Sequence, residues 1–150
     1  MNNESKLFES ASRMMKEAKG NCAQAIFSVY GVHLGQGKVD FDSCMKIASA
    51  FGGGISSTGN VCGAITGALM ALGLKYGGSP LEDRVTKVAT QFLEEFTSIN
   101  GSLLCSELLD YEFTTEEEMM KAYEAGVFNN CMKYVDDAAR LLDEYIEGQH

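Results

Sequence analysis

Apolar residues recur along most of this chain at helical spacing, three or four positions apart. Leu7, Ala11, Met14, Met15 and Ala18 form one such stripe, predicting an amphipathic helix over 3–19 with Gly20 as its stop. Asn21 restarts the chain, and Ala23, Ala25, Ile26, Val29 and Tyr30 predict a second helix over 22–34. After a Gly35-Gln36-Gly37 loop, Asp40 or Asp42 caps a third helix reaching Phe51, with Cys44, Met45, Ile47 and Ala48 inward. Residues 61–75 are different. Their only polar groups before Lys75 are Thr66 and the Cys62 thiol, so this helix is predicted to be buried on most sides. Gly63, Gly67 and Ala71 recur every four residues and leave a flat stripe where a neighbouring helix can come close. Asn60 is the expected N-cap, with Cys62 in the first turn.

Ser79-Pro80-Leu81-Glu82 has the form of a capping box with proline at the first helical position, predicting a helix to about Asn100 whose inner face carries Val85, Val88, Ala89, Phe92, Leu93 and Phe96. A short helix follows over 103–109. Thr114 and Thr115, with Glu117 and Glu118, offer a second capping box. The last helix runs from Cys131 to Ile146, with Tyr134, Val135, Ala138, Leu141, Leu142 and Tyr145 inward. No segment alternates with the period of two that marks a strand. The pattern therefore predicts an all-α fold: a single domain over 1–150, a helical bundle of about seven helices around the buried helix 61–75.

Charge narrows the partners. The net charge is −9. Residues 107–150 hold twelve acidic and three basic side chains, while residues 1–106 balance at nine of each. An acidic C-terminal third argues against nucleic acid and anionic membrane surfaces. The longest near-apolar run, Val61–Leu74, is shorter than the roughly 20 residues a bilayer needs, so no membrane insertion is expected. The first residues have no signal-peptide pattern, so a cytoplasmic location is expected.

In that compartment the five cysteines are not expected to form structural disulfides. Four of them share a setting. Cys22 follows Gly20-Asn21, Cys62 follows Gly59-Asn60, Cys105 follows Gly101-Ser102, and Cys131 follows Asn129-Asn130. Each falls near a predicted helix start, where free amides and the helix dipole favour a thiolate, so these thiols are expected to ionise readily unless burial outweighs the effect. Cys44 lies deeper in its helix among core-type residues and is assigned to packing. The glycines beside Cys62 (Gly53, Gly54, Gly59 and Gly63) are a weak candidate for ligand contact. With no Gly-Lys-Ser/Thr and no preceding strand, they fit clearance around a sulfur site better than a phosphate cradle. With only His33 and His150 present, a Cys–His nucleophile has little support.

These residues resemble the C_GCAxxG_C_C family of bacterial and archaeal proteins, named for a lone cysteine, a CGAxxG signature and two further lone cysteines. Asn21-Cys22-Ala23-Gln24-Ala25 matches the first cysteine's context, and Cys62-Gly63-Ala64-Ile65-Thr66-Gly67 fits the signature. Cys105-Ser106-Glu107-Leu108-Leu109 and Cys131-Met132-Lys133-Tyr134 are similar to the third and fourth contexts. Leu103-Leu104 before Cys105 departs from the family's usual Ser-Ile-x-Cys, and Cys44 stands outside the pattern. The resemblance implies a redox-active protein whose four cysteines act together, with no substrate attached. Two routes stay open: dithiol–disulfide cycling among Cys22, Cys62, Cys105 and Cys131, or one metal centre on the same four thiolates, either zinc or an iron–sulfur cluster. The partner would be a redox protein or a small molecule. The alternative reading is a small-ligand-binding or helical interaction protein with structural cysteines, for which the small-residue stripe would suit a homodimer.

Overall fold

The computed structural model describes residues 3–81, 84–112 and 115–147, with side chains from residue 6 onward. The fold is all-α. In chain order the helices are α1 (Asn3–Lys16), α2 (Cys22–Ile26), α3 (Val32–Gly35), α4 (Phe41–Ala48), α5 (Gly63–Tyr76), α6 (Arg84–Asn100), α7 (Cys105–Leu109), α8 (Glu116–Glu124) and α9 (Cys131–Glu147). A π-helical turn, Phe27–Gly31, joins α2 to α3 without a break. Short 3-10 segments, Ser49–Phe51 and Val127–Asn130, extend α4 and lead into α9. Among the described residues the only β-type pairing is an isolated antiparallel bridge between Val61 and Leu104.

Helix α5 is the centre. It packs against α2, the π-turn, α6 and α9, and Ala64, Ile65, Ala68, Ala71 and Leu72 are essentially inaccessible. Its small-residue stripe works as predicted. A Cβ on Gly67 would lie 2.9 Å from the Ala23 carbonyl oxygen, and one on Gly63 would lie 3.0 Å from the Ala23 amide nitrogen. Only hydrogen at these positions lets α2 lie against α5. Val88, Phe92 and Phe96 of α6 and Val135, Ala138, Leu141, Leu142 and Tyr145 of α9 close the core.

The structure alters some expectations about the helices and decides between others. Helix α1 stops at Lys16, because Ala18 takes the left-handed conformation (φ 52°) and the Lys19 amide donates back to the Met14 carbonyl at 2.9 Å. Ala18 thus does what was expected of Gly20. Pro80 and Leu81 form a turn rather than the opening turn of α6, and the Ser79 hydroxyl accepts from the Leu81 amide at 3.2 Å. Glu82 and Thr114, members of the two proposed capping boxes, lie outside the described residues, while Thr115 does cap α8 by accepting from the Glu118 amide at 3.1 Å. Ile47 faces solvent, 49% exposed, while Cys44 and Ala48 of the same helix are buried. Asp40, not Asp42, caps α4, with the Ser43 amide donating at 2.7 Å.

Candidate functional site

The site is built where four helices begin and one loop winds the wrong way. Asn21 caps α2 through a reciprocal pair: its side chain accepts from the Gln24 amide at 2.8 Å, and its own amide donates to Gln24 Oε1 at 3.0 Å. This pins Cys22 at the first position of α2. Asn21 Nδ2 also donates to the Ser49 carbonyl at 3.2 Å, and Gln24 Nε2 to the Met45 carbonyl at 3.0 Å, fixing the same helix start to α4 and its extension.

Between α4 and α5 the backbone makes a left-handed turn. Gly53, Gly54, Ile55, Ser56 and Ser57 have φ of 65°, 72°, 67°, 48° and 62° in succession. Such a turn is costly for residues with a Cβ, and most of all for β-branched Ile55. It is held by the Ser56 amide donating to Ala50 (2.7 Å), Ser57 to Gly52 (3.0 Å), Gly59 to Gly53 (3.1 Å) and Asn60 to Gly54 (2.9 Å). The Thr58 hydroxyl adds bonds to the Gly54 and Ile55 carbonyls at 2.7 and 2.8 Å. At its tightest point a Cβ on Gly54 would lie 2.5 Å from the Asn60 carbonyl oxygen and 2.7 Å from Cys105 Cβ. The turn therefore lies directly against a cysteine of the family pattern.

The expected Asn60 cap is not made. Asn60 Nδ2 donates to Thr58 Oγ1 at 2.7 Å, and Cys62 itself occupies the N-cap position of α5. The Val61–Leu104 bridge then sets two cysteines side by side. The Cys62 amide donates to the Leu103 carbonyl at 2.9 Å and the Cys105 amide to the Asn60 carbonyl at 2.7 Å. Cys131 opens α9 across from them.

The structure thus brings Cys22, Cys62, Cys105 and Cys131 into one cluster and leaves Cys44 out of it. All five are free thiols and buried. Cys22 interacts most strongly with Cys131, and the charge of Cys131, Cys62 or Cys105 would be felt at Cys22. Cys44 instead packs under the π-turn, where a Cβ on Gly31 would stand 3.2 Å from its sulfur.

Burial decides the acidity of Cys62 and Cys105. Desolvation pushes Cys62 up to about 11, against the opposing pull of the Ala64 and Ile65 amides at the start of α5. It pushes Cys105 up to about 12, with the neighbouring Cys62 and Cys131 adding to the rise. Cys22 is raised well above an ordinary thiol, first by giving its hydrogen bond to Cys131 and then by burial. Cys131 goes the other way: the bond from Cys22 lowers it, and burial offsets this only in part. The expectation that helix starts favour thiolates thus fails for Cys62, where loss of water outweighs the amides, for Cys105, where loss of water leads, and for Cys22, where the Cys131 neighbour adds to burial. At Cys131 it is a neighbouring thiol that lowers the value.

A groove of about 650 Å³ opens beside this pair. Cys22 and Cys131 line it, together with Met15, Met119, Tyr123 and Phe128 and with Gly52, Gly53, Ser56 and Ser57 of the left-handed turn. Cys62 and Cys105 lie behind it. Gly53 is thus on the groove wall, Gly54 against Cys105, and Gly63 against α2. Sequence reasoning placed Tyr134 only on the inner face of the last helix; its hydroxyl donates to the Leu108 carbonyl at 2.6 Å and ties α9 to α7. The charges of Cys131, Cys62 and Cys105 all reach it. Its spacing, one helical turn after Cys131, was the available signal. Among the described residues no group of three or more His, Cys, Asp or Glu side chains is arranged to hold a metal ion, and no helix is long and apolar enough to cross a membrane.

A family model with the description "Putative redox-active protein (C_GCAxxG_C_C)" matches residues 20–145 and so spans all four clustered cysteines. No curated protein and no solved structure matches the chain.

Proposed function

The chain belongs to the C_GCAxxG_C_C family of redox-active proteins, and from that premise we propose that it exchanges electrons through thiol–disulfide chemistry, with Cys131 as the nucleophile and Cys22 as its resolving partner. One observation carries the assignment: of the four clustered cysteines, Cys22 and Cys131 are the two that line the open groove, and they interact directly, with Cys131 lowered and Cys22 raised. A thiolate is the attacking species in exchange, and a thiol beside it is placed to give up a proton and then attack in turn.

The reaction balances as follows. The Cys131 thiolate attacks one sulfur of a substrate disulfide. The substrate S–S bond breaks, and the departing thiolate takes the Cys22 proton. The Cys22 thiolate then attacks Cys131 Sγ, releasing the second substrate sulfur, which is protonated from solvent. Two electrons have passed to the substrate, and a Cys22–Cys131 disulfide is left. Cys62 and Cys105, set side by side by the backbone bridge and outside the groove lining, stay reduced in this step, because their raised values leave little thiolate to attack. The metal alternative draws less support, since among the described residues no three of the sulfurs are arranged as a ligand set.

Treating reduced protein with diamide and mapping its peptides tests this reading. Cys22–Cys131 is the expected first disulfide, with Cys44 always recovered as a free thiol. Five unreactive thiols, or stoichiometric zinc or iron and sulfide lost on substituting any one of the four cysteines, would overturn it.

A further inference from the structure

The groove over Cys22 and Cys131 has a composition that the redox reading does not explain. Apart from those thiols, its walls are thioethers, aromatic rings, hydroxyls and amides: Met15, Met119, Tyr123 and Phe128 on one hand, Asn21, Asn129, Ser49, Ser56 and Ser57 on the other. Among the described residues no carboxylate, ammonium or guanidinium group lines it. Two cations adjoin lining residues along the chain: Lys19 is engaged with Glu17 at 2.9 Å, and the charge of Lys16 acts on Asp136 of α9. Helix α8, which supplies Met119 and Tyr123, carries Glu116, Glu117 and Glu118 in its first turn against Lys121, and Lys121 pairs with Glu117 at 3.4 Å.

Resting on the thiol–disulfide reading, we propose that this groove takes a disulfide carried on an uncharged stretch of polypeptide and discriminates against small anionic disulfides such as oxidised glutathione. Amide-bearing walls with apolar patches match a peptide backbone and its neutral side chains. A small anionic disulfide would meet no cation in the groove and would approach past the carboxylates of α8. The volume accommodates several residues of extended chain around the reacting sulfurs, within the range of ordinary ligand sites. Tyr123, 76% exposed at the rim, is an unused aromatic contact in the free protein. Polypeptide substrates put such residues to use.

Exchange rates of the reduced protein test this with three probes: the disulfide of N-acetylcysteine methylamide (neutral, with peptide groups), hydroxyethyl disulfide (neutral, without them) and oxidised glutathione. Each rate is divided by that of dithiothreitol with the same probe, and the mixed disulfide is located by mass spectrometry. The peptide-bearing probe should exceed each of the others by about tenfold, with the adduct on Cys131. Tyr123→Ala should lower its advantage over hydroxyethyl disulfide. Tyr123→Lys should raise the oxidised glutathione rate relative to both neutral probes. Both substitutions are at an exposed position, and retained helicity confirms folding. Corrected rates within threefold of one another, or oxidised glutathione fastest, overturn the substrate class while leaving the thiol chemistry standing. No exchange with any probe overturns both.

Discussion

A thiol at the head of a helix feels opposed forces, and the four clustered cysteines divide according to which one wins. For Cys62 and Cys105 desolvation is the larger, as it is for a buried acid generally. For Cys131 a donated hydrogen bond is larger than burial. It follows that Cys131 should be the first of the four alkylated by iodoacetamide as pH rises, followed by mass spectrometry of tryptic peptides. Cys22→Ala should move the Cys131 profile to higher pH and cut its neutral-pH rate several-fold, because the donor is gone. Cys22→Ser keeps a donor and should restore much of the shift, whereas Cys62→Ala should leave the profile in place. A profile indifferent to Cys22 would contradict the pairing. The membership of this site was legible in the sequence, since Asn21, Gly59, Ser102 and Asn129 announce helix starts locally. Its ranking was not, because burial and the Cys22–Cys131 contact join residues far apart in the chain.

At the scale of elements, the left-handed turn at 53–57 decides where Cys62 and Cys105 stand. Its glycines were readable as clearance, but Ile55, Ser56 and Ser57 carry no sequence signal for positive φ, just as Ala18 carries none at the end of α1. Long-range bonds such as Cys105 N–H to Asn60 hold them there. The same displaced turn explains why Asn60 fails as a cap and Cys62 takes that position. The small-residue stripe on α5, by contrast, was legible because a period of four depends on the helix alone. Two substitutions separate strain from necessity. Ile55→Gly removes a β-branched side chain from the left-handed region and should stabilise the protein by about 1 kcal/mol. Gly54→Ala drives a Cβ onto the Asn60 backbone and Cys105 Cβ, and should cost on the order of 3 kcal/mol. It should also change the reactivity of Cys105, which Ile55→Gly should not. Urea unfolding measures the first pair of effects and thiol titration the second. A loss of stability in Ile55→Gly would mean the isoleucine is anchoring the turn by packing.

For the whole molecule, burying ionisable thiols links redox state to stability. Cys62 and Cys105 have folded values of about 11 and 12 against an ordinary 9.0, and Cys22 is raised as well. The folded state therefore holds more protons than the unfolded chain above pH 9. Their contribution is complete below that pH and is lost as pH rises through the folded values. Thermal unfolding of the reduced protein should accordingly shift to lower temperature between pH 9 and 11, and less so in Cys62→Ala relative to that variant's own midpoint at pH 8. Oxidation should alter this in a defined way. A Cys22–Cys131 disulfide would join the start of α2 to the start of α9 and close a loop of about 110 residues, which in the chain-entropy account stabilises by about 4–5 kcal/mol before strain. It would also remove from the alkaline titration both Cys22, which is raised, and Cys131, which is lowered, two opposed contributions, while leaving Cys62 and Cys105 in it. The oxidised protein should thus unfold at higher urea than the reduced protein at pH 7. A lower midpoint on oxidation would mean that α2 and α9 must move apart to make the bond, and that the hydrogen-bonded pair is not the one that oxidises.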